Sequence, residues 1–330
     1  MRRRRSRPTS RRTPAVGGNS SSLRVSSRSR RSMNFKGHGM PQHVYRNLDQ
    51  AELDREYNAA AHVGDTRPYF DDYNARSAAA RASLLFSPDV PYGGEEGETL
   101  DIFFQSRSCG APVHIFFHGG GYRSQDKYNF SFVAGPLVER GAVVVIPNYG
   151  LCPAVGLDDI VAQTRRSIAW VYRHARIMGG DPNAITISGH SAGAHIVARA
   201  LEACWDDHGA PDDVIKAAIS LSGIYDQEAR RLSFLNQYLR LDQAQSLRNS
   251  SMFRTPRRRV PYVIAVAEHE TGEYIRQSRD YAQALQGKSY DVSYLQVQGK
   301  NHYNILDAFL DFSHPLGHAL HEQVFRGSRA

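Results

Sequence analysis

Short, nearly continuous apolar runs alternate along the chain with segments whose apolar positions return at helical spacing. The runs at 99–104, 113–117, 142–147, 184–188, 217–222, 262–267 and 292–297 are rich in Val, Ile, Phe and Tyr, and each is bounded by turn-forming residues. They read as strands. Because consecutive rather than alternate positions are apolar, the strands suit a mostly parallel sheet covered by helices on both faces. Between two of them, 158–178 carries Ile160, Val161, Ile168, Val171 and Tyr172 near helical spacing and stops at Gly179-Gly180, so it reads as a crossover helix. The segment 227–256 breaks the alternation and reads as one or two short inserted helices. An insertion there sits above the carboxyl ends of the strands, where open α/β sheets bind ligands. No internal repeat is present.

Composition changes this picture little, and charge changes it in one place. A chain of 330 residues with 41% apolar content can bury a sizeable core. The net charge of +8 belongs to residues 1–32, which hold eleven arginines and no acid, so the remainder is acidic on balance. That Arg/Ser-rich tail has too few apolar residues to repay ordering and is expected to be disordered, ahead of a single folded domain at 33–330. It reads as an organelle transit sequence, as a weak polyanion-binding arm, or as upstream sequence preceding a true start at Met33. The basic tail alone does not make nucleic acid an expected partner. The sequence shows no long apolar span and no secretory leader, so the expectation is a cytoplasmic protein acting on a small molecule, away from membranes; a homodimer is left open. Cys109, Cys152 and Cys204 lie far apart, without metal-type or redox-type pairing, and read as free thiols.

The chemistry is concentrated at strand ends. "GHSAG" at 189–193 fits G-x-S-x-G and falls directly after a predicted strand and before a predicted helix, the context in which a serine is exposed on a sharp turn. Ser191 is therefore the candidate nucleophile, with the Ala192 amide at the helix start able to help hold an oxyanion. A serine needs a base, and the base an orienting acid. His302, in the loop of "VQGKNHYNIL" after the last predicted strand, is placed to be that base. His190 and His195 are too close in sequence to Ser191 to face it. For the acid, Glu268, Glu270 and Glu273 share one loop after the strand at 262–267, and residue reading alone leaves all three open. "HGGG" at 118–121 ends another strand and matches an oxyanion loop, with His118 expected to hold the loop. Arg230, Arg231, Arg240, Arg254, Arg257, Arg258 and Arg259 include candidate partners for a substrate carboxylate.

On these residues, and on "GHSAGAHIVA", "YRSQDKYNFSFVA", "AEHETGEYIRQSRDYAQAL" and "GKNHYNIL", the chain resembles an α/β-hydrolase. Within that superfamily it is most similar to the kynurenine formamidase (arylformamidase) and carboxylesterase group, over roughly 45–312. The resemblance implies an α/β-hydrolase fold with a small helical insertion and a Ser191, Glu270, His302 triad. It implies oxyanion donors at Gly120, Gly121 and Ala192, and no cofactor or metal. Two departures stand out: the group usually has Asp where Glu270 stands, and Trp where Tyr122 stands. Tyr122 follows the oxyanion glycines, and its ring is expected to reach the acyl pocket beside Ser191. The implied activity is hydrolysis of a small acyl amide such as N-formylkynurenine. The alternatives are a general carboxylesterase on short-chain esters or a non-catalytic binding protein of the same fold.

Overall fold

The structure, a computed structural model, describes residues 42–326. The expectations for the tail at 1–32 lie outside these residues. Three helices open the described chain: α1 (Gln50–Glu56), α2 (Ala59–Val63) and α3 (Arg67–Ser83). Eight strands then form one sheet in the order β1-β2-β4-β3-β5-β6-β7-β8. They are β1 (Leu85–Pro91), β2 (Thr99–Phe104), β3 (Ala111–Phe117), β4 (Val143–Pro147), β5 (Gly180–His190), β6 (Ile215–Leu221), β7 (Tyr262–His269) and β8 (Val292–Asn301). β1 and β2 pair antiparallel with each other, and β2 pairs antiparallel with β4; every other pairing in the sheet is parallel. The helices between and after them are α4 (Gly135–Val138), α5 (Leu157–His174), α6 (Ala192–Leu201), α7 (Gln227–Leu232), α8 (Asn236–Leu239), α9 (Gln243–Arg248), α10 (Gly272–Gln286), α11 (Ile305–Leu310) and α12 (Pro315–Val324).

The strand side chains alternate between two cores, which is why the apolar runs look continuous in sequence. In β4, Val143 and Val145 join one core while Val144 and Ile146 join the other; β7 divides the same way, with Ile264 and Val266 opposite Val263 and Ala265. The first core is closed by α5, α6 and α10 through residues such as Ile160, Ile168, Ile196, Val197 and Tyr281. α4, α11 and α12 close the second through Leu137, Phe309 and Leu320. A fully buried Ile or Leu among these stabilises by about 1.5–3 kcal/mol, so the central strands cannot shift register by one residue without exposing a whole face. All seven expected strands are present. The sheet has one more, the edge strand β1, whose side chains are mostly exposed and which bulges between Ser87 and Val90. The expected helix at 158–178 ends earlier, at His174, because the chain turns there to bring the Gly180 amide to the Ala175 carbonyl at 2.8 Å. The insertion holds three short helices, α7 to α9, rather than one or two, followed by a 3-10 turn at Ser251–Phe253. No helix among the described residues is long and apolar enough to cross a membrane.

Candidate active site at the carboxyl end of the sheet

β5 ends at His190 and α6 begins at Ala192, so Ser191 alone makes the corner. Its backbone takes φ 54° and ψ −112°, a conformation that costs on the order of 1–3 kcal/mol for a residue with a Cβ and persists only where the surroundings impose it. They do so from both sides. The Ser191 amide donates to the Leu221 carbonyl of β6 at 2.8 Å. A Cβ added at Gly189 would lie 2.3 Å from the Gly193 carbonyl oxygen, and one at Gly193 would lie 2.0 Å from that of Phe117. Those two glycines let α6 leave the sheet at this angle, which turns the Ser191 hydroxyl into a cleft that Gly120, Gly121 and His302 also line.

His302 follows β8 and reaches back over the serine. Its Nδ1 lies 2.8 Å from Glu270 Oε2 and its Nε2 lies 3.1 Å from Ser191 Oγ. A carboxylate can only accept, so Nδ1 carries the hydrogen and Nε2 is left to accept from the serine hydroxyl. The imidazole is held in place from several directions. His190 Nε2 donates to the His302 carbonyl at 2.7 Å, Tyr274 meets the ring edge-on at 4.9 Å, and the Tyr73 hydroxyl of α3 donates to the Tyr303 carbonyl at 2.5 Å. Burial pushes the Tyr274 phenol up to about 12, so it stays protonated beside the serine. Burial likewise lowers His190 to about 3, which leaves it neutral and makes it a donor to the carbonyl rather than a charged neighbour of His302.

The three glutamates of the β7–α10 loop have separate surroundings. Glu268 is partly exposed and accepts from the Gly299 amide at 2.7 Å. Glu273 pairs with Arg276 and accepts from the Tyr57 hydroxyl at 3.0 Å. Glu270 alone faces His302, with its Oε1 buried and unpartnered.

The loop after β3 faces Ser191 from the other side. Gly120 and Gly121 have φ of 110° and 63°, and a Cβ at Gly120 would come within 1.9 Å of the Ser124 carbonyl oxygen, so this tight turn admits no side chain there. Among the described residues the amides of Gly120, Gly121 and Ala192 have no backbone carbonyl partner, as donors for a developing negative charge require. His118 holds the loop: its Nδ1 lies 2.7 Å from the Gly119 carbonyl, and its ring stacks on Tyr149 at 4.3 Å.

Tyr122 is a correction. It is fully buried and does not line the cleft. Its positive φ of 66° turns the side chain beneath the loop, where its hydroxyl lies 2.5 Å from His195 Nδ1 and 3.0 Å from the Ala192 carbonyl. Burial lowers His195 to about 3, and its Nε2 lies 2.6 Å from the Asn249 carbonyl, so Nε2 carries the ring hydrogen and Nδ1 accepts from Tyr122. Tyr122 therefore ties the glycine loop after β3 to α6 and to the insertion and does not border the cleft.

Several cleft residues escape sequence reading altogether. Tyr57, Phe70 and Tyr73 come from α1 to α3, and Phe234 and Leu235 come from the insertion. Their only signal is a local richness in aromatic residues, which equally marks ordinary packing.

The BD-FAE family matches residues 100–218, a span from β2 to β6 that contains both glycine motifs. The chain is 34% identical to the kynurenine formamidase of Danio rerio over 238 residues, 70% of this chain and 80% of that protein. It is 34% identical to the kynurenine formamidase of Salmo salar over 230 residues, 68% and 76% of the two chains. Among solved structures, the thermophilic carboxylesterase EstE1 from a metagenomic library superposes with a TM-score of 0.61 at 16% identity, covering 79% of this chain and 98% of that one. The last likeness is one of fold.

Proposed function

The chain belongs to the kynurenine formamidase family of α/β-hydrolases, and on that premise we propose that Ser191, His302 and Glu270 act as nucleophile, general base and orienting acid in the cleavage of a small acyl amide or ester, with N-formylkynurenine the favoured substrate. The observation that carries the reading is the unbroken hydrogen-bonded row from Glu270 through His302 to Ser191, facing a loop of unpartnered amides. As Ser191 Oγ attacks the substrate carbonyl, His302 Nε2 takes its proton, and the imidazolium that forms is stabilised by Glu270. The carbonyl oxygen gains charge as it moves toward the amides of Gly120, Gly121 and Ala192. His302 then returns the proton to the leaving amine, and water repeats the sequence to free the acid and restore the serine. For N-formylkynurenine the acyl group is formyl and the leaving group an aniline. Acyl transfer of this kind calls for no cofactor. A small-molecule substrate and a cytoplasmic location go with the reading, and a homodimer is compatible with it.

Carboxylesterase action on short-chain esters is the second reading, favoured because the same row from Glu270 through His302 to Ser191 serves an ester, which is the easier bond to break. Parallel turnover of N-formylkynurenine and p-nitrophenyl acetate and butyrate decides between them: kcat/KM is expected to be highest for the formamide, and the reverse order would transfer the assignment to an esterase. An organophosphonate should label Ser191. A protein that resists labelling and turns over neither class would be the non-catalytic homologue.

A further inference from the structure

Arg230 lies on α7, the first helix of the insertion, and is only 3% exposed. A buried guanidinium is always charged and offers five donors, so it is costly unless paired. Several other arginines are ion-paired, Arg231 with Glu228, Arg248 with Asp158, Arg276 with Glu273 and Asp280, and Arg199 with Glu202. The Arg230 side chain makes no hydrogen bond or ion pair among the described residues, and its Nε is buried without an acceptor. A carboxylate is at hand on its own helix, but Glu228 is held by the neighbouring Arg231 and by Ser246. What Arg230 does contact is the ring of Tyr122, with Cζ 5.1 Å from the centroid, which supports the cation but offers it no acceptor. Its outer end faces the cleft that holds Ser191, and Nη2 would lie 3.7 Å from a Cβ built on Gly121. The oxyanion loop and the unpaired fork thus border the same space.

We propose that Arg230 is a specificity-determining residue that binds a carboxylate carried by the substrate away from the scissile bond, so that the preferred substrate is an acyl amide or ester bearing an anionic group. This rests on the hydrolase reading only in taking the Ser191 cleft as the substrate site. The planar fork matches a carboxylate bidentately, and the lack of any protein counterion leaves both outer nitrogens free for it. A neutral analogue of the same shape would leave the guanidinium buried and unpaired, and is discriminated against for that reason.

The test measures binding apart from chemistry. Titration calorimetry with 3-benzoylpropionate and its neutral carboxamide is run on the wild-type protein, Ser191→Ala, Arg230→Met and Arg230→Lys. Wild type and Ser191→Ala should bind the carboxylate about 10 to 100 times more tightly than the amide, the range of a charge-assisted hydrogen bond. In Arg230→Met the preference should shrink to about twofold, and in Arg230→Lys it should partly return. Three results would overturn the proposal: no carboxylate preference in the wild type, a preference undiminished in Arg230→Met, or equal weakening of both probes in Arg230→Met, the mark of a mere prop for Tyr122. A second arm compares kcat/KM for N-formylkynurenine and its α-carboxamide, where the same variants should show the same change in ratio. Loss of activity on both substrates alike would instead mark Arg230 as a partner of the oxyanion. If the wild type turned over neither substrate while the binding preference still depended on Arg230, the hydrolytic reading would fall and the carboxylate site would stand.

Discussion

A glutamate is one methylene longer than an aspartate, yet Glu270 Oε2 meets His302 Nδ1 at 2.8 Å, an ordinary hydrogen-bond distance. Glu270→Gln keeps the shape but removes the charge that stabilises the imidazolium and favours the wrong ring tautomer. Turnover should fall by about 10⁴, as it does in a serine protease whose triad aspartate becomes an amide, with the fold intact by circular dichroism. Glu268→Gln should cost tenfold or less, because that side chain holds the Gly299 amide and not the imidazole. Steady-state kinetics on the two variants would expose a mistaken assignment if their effects were exchanged. Tyr122→Phe tests a different role. Losing the hydroxyl strands His195 Nδ1 in a buried site, which should lower stability by about 1–3 kcal/mol in denaturant unfolding. The acyl chain-length profile should stay as it is, since the ring lies beneath the cleft; a shift toward longer chains would return Tyr122 to the pocket.

At the scale of elements, what could be read from the sequence was set by how many faces each element buries. β3, β4, β6 and β7 contribute to both cores, and β5 gives Ile185 and Ile187 to the first while burying Thr186 and Ser188 on its other face, so these runs are legible without alignment. β1 is an exposed edge strand carrying two prolines, and α3 buries only Tyr73 and Ser77 along its length, so neither has a pattern to find. The site divides in the same way. Ser191 and His302 announce themselves because strand, turn and helix chemistry confine them. Spacing cannot tell which of three glutamates in one loop faces the histidine, and it misplaces Tyr122 because a positive φ reverses the side chain's direction. α3 also carries a prediction that composition would not suggest. Tyr73 donates to the Tyr303 carbonyl, next to His302, so, with His302 as the proposed base, Tyr73→Phe should lower kcat by about three- to tenfold through a loosened His302 loop, on the scale of one lost hydrogen bond. An unchanged kcat would make α3 a cover and nothing more.

For the whole molecule, acid is the condition to vary. Burial holds His114, His190 and His195 down at about 3 and His118 at about 4, against an ordinary value near 6.5. Between about pH 6.5 and 4 the unfolded chain binds protons at these sites and the native one does not, so stability rises with pH in that window and is lost as pH falls. Each site can contribute a slope of up to about 1.4 kcal/mol per pH unit. Thermal unfolding followed from pH 7.5 to 4.5 should show Tm falling with uptake of several protons; a flat Tm would mean that these rings are protonated in the native state. A chain begun at Met33 should keep full activity, because the segment it lacks has too few apolar residues to join a core; loss of turnover would give that segment a part in the fold. The direction of the strands has a further consequence, for handling the protein. The cleft opens at the carboxyl ends of β3, β5, β7 and β8, whereas Cys109 is exposed in the turn that leads into β3, and Cys204 follows α6 after that helix has run back from Ser191. The third thiol, Cys152, is buried. Coupling to a maleimide surface would therefore tether the molecule by the end of the sheet opposite its cleft, in one orientation, with the active face turned to solution and free to take up substrate.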